Sequence, residues 1–463
     1  MNTKNMLDEK LLRAAEGGNI EEISLLLERG ANIDAADGNG WTALMHATRS
    51  GHAGAVRLLL ERGANIHATN KDGWHAARIA FTYDCEEIGD ILLQAIDNSM
   101  AKLVCAAESG ETETFCRLLG ELAHIDATNS HGETALVVAV KEGYIKAARL
   151  LLDRGANVDA AGGDGRTALI WAAIHGKTET VALLLERGAN INAVGRFGEM
   201  ALTSAVGNGH TETVALLLER GANINATSAN SETVLMCAAA AEGRTEAVRL
   251  LLDKGAHIDA AYADGQTALM LAARRGHTEV VRLLLDRGAH IEAADENGWT
   301  ALIWAAMGGQ TETAALLLDR GANIDAAGGD GWVDGVTALM YAAWNGRTET
   351  VALLLDRGAP IDAAHDDGWT ALIFSAREGH TETVRLLLDR GANIDAADEI
   401  GWTALMHAAR KGAEHTETVA LLLERGANIE AADENGMTAL RHAVNNGAGT
   451  IAQMLRNAGA REA

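Results

Sequence analysis

The sequence predicts an all-α repeat solenoid in which pairs of short helices alternate with β-hairpin-like fingers. Three observations carry this expectation. A Thr-Ala-Leu step, or its stand-in, recurs at Thr134, Thr167, Met200, Thr233, Thr267, Thr300, Thr337, Thr370, Thr403 and Thr438, mostly 33 residues apart. The pattern running from Gly-x-Thr-Ala-Leu through Gly-x-Thr-Glu to Leu-Leu-Leu-x-Arg-Gly-Ala-x-Ile, as between Asn297 and Ala327, recurs along the chain. One copy cannot bury its own leucines, so the copies must stack into a continuous core.

A single copy explains its own helices. The Thr300 hydroxyl suits the cap of a first helix, and Leu302, Ala305 and Ala306 then share one face, with Ala301 at its edge. Small side chains on that face let a neighbouring helix approach closely. Gly309 ends the helix. Thr311 is placed to cap the second one, and Glu312 sits in its first turn, where the helix dipole favours an acid. Leu316, Leu317 and Leu318 supply the apolar stripe, Arg320 falls in the last turn, and Gly321 suits a left-handed residue beyond it. The polar, Gly-rich run from Ala322 to Gly331 then reads as an extended segment and a tight turn.

Along the chain, residues 1–37 lack the usual opening and begin with Asp8-Glu9-Lys10, which reads as an N-terminal capping repeat. Residues 38–70 form a standard unit. Residues 71–130 are irregular: Trp74-His75-Ala76-Ala77 starts a degenerate unit, and Ile96-Asp97-Asn98-Ser99 replaces a finger. The next unit begins near Met100 after a step of 26 residues, and Leu122 later takes the place of the helix-ending glycine. A side chain is costly in the left-handed conformation. A bend or weak interface is therefore expected there, with a hinge between 1–99 and 100–463 as its functional form. Residues 131–433 are regular repeats with three insertions: one residue in Ala238–Ala241, four before Thr337, and Ala413-Glu414 between two helices. Residues 434–463 have lost the triple leucine and read as a C-terminal capping repeat, giving a single array of about 14 units over residues 1–463.

These residues resemble ankyrin repeats. Asp264, Gly265, Thr267, Leu269, Ala272, Ala273, Gly276, His277, Leu283, Leu284, Leu285, Gly288, Ala289 and Ile291 follow the family pattern in order. One departure is systematic: the family's Thr-Pro-Leu is Thr-Ala-Leu here, and the only proline is Pro360. Alanine has the better helix propensity, so the fold is unaffected. The resemblance implies a curved array with a concave groove. It also implies that the histidines of the Gly-His steps, His52, His210, His277 and His380, with His415 as a displaced counterpart, hydrogen-bond loop backbone.

Composition narrows the function. The formal net charge is −25, from 39 Lys+Arg and 64 Asp+Glu. An acidic surface of this kind does not suit a phosphate backbone or an anionic membrane, so no direct nucleic-acid binding is expected. No apolar run approaches the ~18 residues of a membrane span, and Met1 to Lys10 has no apolar signal core. Cys85, Cys105, Cys116 and Cys237 have no disulfide or zinc spacing, which fits a reducing, cytoplasmic setting. No cofactor and no metal are expected, and a monomer is. His46, His407 and His442 share one repeat position, the last two being one repeat apart and able to approach each other, but a third metal ligand is lacking. There is no Gly-x-Ser-x-Gly step, and turns such as Gly162-Gly163-Asp164-Gly165 lack a following Gly-Lys-Ser/Thr, so an enzyme is not expected. Asp366, Asp367, Asp398 and Glu399 read as exposed finger acids.

The informative signal is what varies between copies. In ankyrin repeats the residue after the finger glycine, the residue two after the leucine, and the pair before the helix-ending glycine face the groove. Here the first reads Glu133, Arg166, Glu199, Glu232, Gln266, Trp299, Val336, Trp369, Trp402 and Met437. The second includes Trp171, Trp304, Tyr341 and Phe374, and the pair includes Arg274-Arg275, Trp344-Asn345, Arg377-Glu378 and Arg410-Lys411. Eight of the 17 aromatic residues lie between Trp299 and Trp402, counting Trp332 in the long finger. Aromatic and Arg side chains are the usual anchors of interfaces. The sequence therefore points to a non-catalytic scaffold that binds a protein partner through Trp299, Trp304, Trp332, Tyr341, Trp344, Trp369, Phe374, Arg377, Trp402 and Arg410. Packing between fingers is the competing role for Trp299, Trp369 and Trp402. The alternative function is an acidic inhibitor or immunity-type protein that occludes a basic enzyme or a nucleic-acid-binding protein.

Overall fold

The computed structural model describes residues 3–461 except 67, 73, 84, 86, 93, 96–102, 105–123, 228–231 and 330–333. The shortened finger at Ile96–Ser99, the Leu122 helix end and Trp332 lie outside the described residues, as does half of residues 71–130, where the bend is expected. The chain packs as two compact units, Met1–Asn223 and Ile224–Ala463. Both are built from the same element.

That element is a pair of helices and a finger. In Ile224–Ala463 the first helices Ala268–Arg275, Ala301–Gly308, Ala338–Trp344, Ala371–Glu378 and Ala404–Lys411 pack side by side. The second helices Thr278–Asp286, Thr311–Asp319, Thr348–Asp356, Thr381–Asp389 and Thr416–Glu424 form a second row against them. Buried alanines at the contacts, such as Ala272, Ala305, Ala342 and Ala408, let the first row close up, while Leu284, Leu317, Leu354, Leu387 and Leu422 fill the space between rows. Met1–Asn223 repeats the arrangement, with Leu44, Val56 and Leu59 buried near its start and Leu169, Leu184 and Leu217 near its end. No helix among the described residues is long and apolar enough to cross a membrane.

Thr300 caps its helix as expected, its hydroxyl accepting the Ile303 N–H at 3.5 Å, and Gly309 closes it at φ 74°. The second-helix threonine behaves differently. Gln310, not Thr311, holds the cap position and supplies no side-chain bond there. Thr311 lies one residue inside the helix, which frees its hydroxyl to bond Thr350 of the next repeat at 2.8 Å. The same link joins Thr178 to Thr213, Thr278 to Thr313, Thr348 to Thr383 and Thr381 to Thr418.

Each finger closes on an antiparallel bridge, such as Ala294 with Thr300 and Ala397 with Thr403. The long finger has a true two-residue pairing, Ala327–Gly328 against Val336–Thr337. The Ala413-Glu414 insertion is absorbed by a 3₁₀ turn, Ala413–His415. His415 still reaches the Arg377 carbonyl at 2.9 Å, as His52, His210, His277 and His380 reach Glu16, Ile174, Ala240 and Trp344. The Gly-His histidines thus hold the preceding repeat's helix end.

Two further seams join repeats. A finger acid accepts the next repeat's backbone N–H, as Asp259 does from His290 at 3.0 Å and Asp395 from Asn428 at 2.8 Å. Pro360 stands where the corresponding N–H would meet Asp325, and proline has none. On the second-helix side, Arg287, Arg320, Arg357, Arg390 and Arg425 pair with Asp253, Asp286, Asp319, Asp356 and Asp389 at 2.6–2.8 Å. These side chains are 30 % or more exposed, so each pair contributes at most about 1 kcal/mol. Their effect is on register between repeats.

Candidate protein-interaction surface

The site grows from the finger. Its turn begins with a residue whose side chain can accept the N–H groups two and four residues on, as Asx turns do. In four repeats this residue is aspartate, and its second oxygen reaches nine residues ahead to the first helix. Asp295 accepts from Asn297 and Trp299 backbone at 3.0 Å each, and from the Trp304 indole N–H at 3.0 Å. Asp398 accepts from Ile400, Trp402 and the His407 ring at 3.2, 2.7 and 3.0 Å. Asp433 accepts from Asn435, Met437 and His442, each at 2.9 Å. Asp37 does the same for Asn39, Trp41 and His46.

Asp295, Asp398 and Asp433 are buried, so Asp398 is not the exposed finger acid that the sequence suggested. Three donors occupy it, and a buried carboxylate needs them. Nor do His407 and His442 meet. The Trp402 ring stands between them, 5.1 Å from one and 4.1 Å from the other.

From this anchorage a continuous ladder of rings follows. Trp304 meets Trp299 at 4.9 Å, Trp299 meets Tyr341 at 5.4 Å, Tyr341 meets Trp344 at 6.1 Å, and Trp344 meets Phe374 at 5.1 Å. Phe374 meets Trp369 at 5.1 Å, Trp369 meets His407 at 4.5 Å, and the ladder ends on Trp402 and His442. Such ring contacts contribute about 0.5–1.5 kcal/mol each beyond burial. Guanidinium groups lie on the indoles: Arg274 on Trp304, Arg377 on Trp369 and Arg410 on Trp402, at 4.7, 5.0 and 5.3 Å from the ring centres.

The expected contact residues therefore divide. Trp304, Tyr341 and Phe374 are 5, 4 and 1 % exposed and belong to the packing. Trp299, Trp344, Trp369 and Trp402 are half-buried, Arg377 is partly exposed, and Arg410 is exposed. Trp369, Arg377, Trp402 and Arg410 line one cavity of about 350 Å³, with Asp367 and Glu399 on its finger side. In Met1–Asn223, Glu133 and Glu199 are instead engaged by Lys141 and Arg166. Trp171 carries both Lys141 and Arg166 against its ring.

Sequence reasoning missed the exposed apolar residues of the fingers, among them Val194 at 60 %, Phe197 at 73 % and Ile400 at 46 %. Their signal was present. Val194 replaces the alanine or threonine of the other finger bridges, and Phe197 and Ile400 replace a polar tip residue such as Asn39 or Asn297.

Titration follows from the same bonds. Burial, helped by Arg377 and Arg410 nearby, outweighs the Asp398 bond and pushes the His407 pKa below its ordinary 6.5. The neutral ring is thus the folded form at pH 7. Between the lowered value and 6.5 the unfolded chain binds the extra proton, so stability is full above about 6.5 and falls as pH drops below it. For Asp37 and Asp433, burial opposes ionisation, but the backbone and histidine donors prevail and hold both carboxyls below 3.8. Their contribution is full above 3.8 and is lost as pH falls through the lowered values. Urea midpoints measured from pH 8 to pH 5 are expected to decline below pH 6.5, and His407→Gln to flatten that decline. A variant with the same slope as the wild type would contradict the role given to His407.

Stacked helix pairs joined by short fingers define a helical repeat protein. The family profile described as "Ankyrin repeats (3 copies)" matches residues 11–101, 103–195, 192–262, 258–328, 327–398 and 393–462. The chain belongs to the ankyrin-repeat family, whose repeats are in general protein–protein interaction modules. No curated protein matches the chain.

Proposed function

We propose that the protein is a non-catalytic scaffold that binds a protein partner on the finger and first-helix face between Trp299 and Lys411. The observation that carries this reading is the ring ladder. Its buried members fix the half-exposed edges of Trp299, Trp344, Trp369 and Trp402 in place before any partner arrives. Rigid aromatic and Arg anchors lose little entropy on binding, which is what makes a surface contribute affinity.

Truncating Trp304 or Tyr341 would disturb packing as well as contact. The exposed positions give the cleaner test. Ile400→Asp with Arg377→Glu and Arg410→Glu is expected to abolish capture of the partner from host lysate while leaving the helical signal and melting profile near those of the wild type. Undiminished capture by this variant would refute the assignment of the face.

A further inference from the structure

The arginines at the ends of the second helices in Ile224–Ala463 are spent: Arg287, Arg320, Arg357, Arg390 and Arg425 each hold an aspartate of the preceding repeat. The arginines on the ladder are not. Arg410 makes no ion pair among the described residues and is held only by the Trp402 ring. Arg377 touches only its neighbour Glu378, at 3.6 Å, and otherwise lies on Trp369. In a chain with 64 acidic and 39 basic side chains, Arg410, with no ion pair among the described residues, and Arg377, beside only Glu378, each over an indole ring, form a preorganised anion receptor. A guanidinium held over an aromatic ring still has N–H groups to offer a carboxylate.

Spacing narrows the ligand. Arg377 and Arg410 occupy the same position in adjacent repeats, whose helices pack about 8–10 Å apart. A polyproline-II strand rises about 3.1 Å per residue with three residues per turn, so side chains three apart share a face at about 9.3 Å. A β-strand places residues three apart on opposite faces. Aromatic grooves also suit the polyproline-II form.

We propose that the face binds an acidic polyproline-II peptide whose carboxylates, three residues apart, meet Arg377 and Arg410 on the Trp369 and Trp402 rings. This inference rests on the reading of the face as a docking surface. It fixes the polarity of the ligand: acidic toward the first helices, and without acids toward Asp367 and Glu399.

The probe is a fluorescein-labelled peptide, Gly-Gly-Glu-Pro-Pro-Glu-Pro-Pro-Glu, read by fluorescence anisotropy with the full chain. Saturable binding is expected, weakened at least tenfold by Arg377→Gln with Arg410→Gln. The Lys-Pro-Pro-Lys counterpart is expected not to bind, and a Glu-Pro-Glu-Pro peptide to bind several-fold more weakly. Absence of binding, equal binding by the Gln variant, or preference for the lysine peptide would overturn the inference. In any of those cases the lysate capture with the Ile400→Asp, Arg377→Glu, Arg410→Glu variant still judges the docking face separately, because it reads loss of any partner of that face, whatever the partner's charge or backbone form.

Discussion

Replacing Asp398 with alanine is expected to destabilise the protein by about 3–5 kcal/mol, because it leaves the His407 ring and the N–H groups of Ile400 and Trp402 without their acceptor in a buried site. The loss would spread along the ladder, since His407 is the ring between Trp369 and Trp402. Asp398→Asn provides the control. Asn70 and Asn129 already fill this finger position and accept the same two backbone donors. The asparagine variant should therefore lose only the charge-assisted bond to His407, about 1.5–3 kcal/mol at most. Urea denaturation followed by tryptophan fluorescence would measure both. Equal costs for Ala and Asn would mean that the turn bonds contribute nothing.

The second large effect separates two uses of glycine. Gly176 and Gly188 both have positive φ, 63° and 86°. A Cβ on Gly188 would meet nothing within 4 Å, whereas one on Gly176 would lie 2.3 Å from His210 Nδ1. Alanine at 188 should cost only the left-handed penalty, about 1–2 kcal/mol. Alanine at 176 adds displacement of the ring that bonds the Ile174 carbonyl, for a total of about 3 kcal/mol. Thermal melts of the two variants give the comparison. Indistinguishable melting temperatures would show that the Gly-His contact is not what makes 176 a glycine.

The sequence made the helix pairs readable because the chain repeats its own experiment: a position that stays Gly, Leu or Ala through many copies declares its packing role. Helix limits and the Thr300 type of cap followed from that, while the Gly-His backbone bonds were implied by the resemblance to ankyrin repeats. The second-helix threonine was misread because a Thr-Glu at a helix start looks like a cap, and only a neighbouring repeat reveals that the hydroxyl points between repeats. Asp398 was misread for the same reason, whereas Asp366, Asp367 and Glu399 are exposed as expected. Asp398 resembles any polar turn residue until the residue nine positions ahead is considered with it. Asp37 goes with His46, Asp295 with Trp304, Asp398 with His407 and Asp433 with His442. Where glycine occupies the finger position, at Gly162, the Trp171 indole N–H is buried without a partner. That pairing is a rule of geometry across a turn, and periodicity alone does not contain it. Burial of Trp304, Tyr341 and Phe374 likewise depends on the rings of adjacent fingers, which no single copy displays.

The Asp–Arg pairs on the second-helix side have a consequence for how such a gene can change length. From Asp253 to Arg425 each repeat offers an aspartate forward and an arginine backward. In-frame excision of one whole repeat by recombination between copies would join, for example, Asp253 to Arg320, and the new junction would carry the same pair as the old. Duplication would do likewise. Glu219 before Lys254 lacks the short acid and the guanidinium, so a crossover there would not reproduce the match. Copy number is thus freer to drift inside the 253–425 run than at its borders, and the ring ladder could lengthen or shorten by one rung at a time with its seams intact.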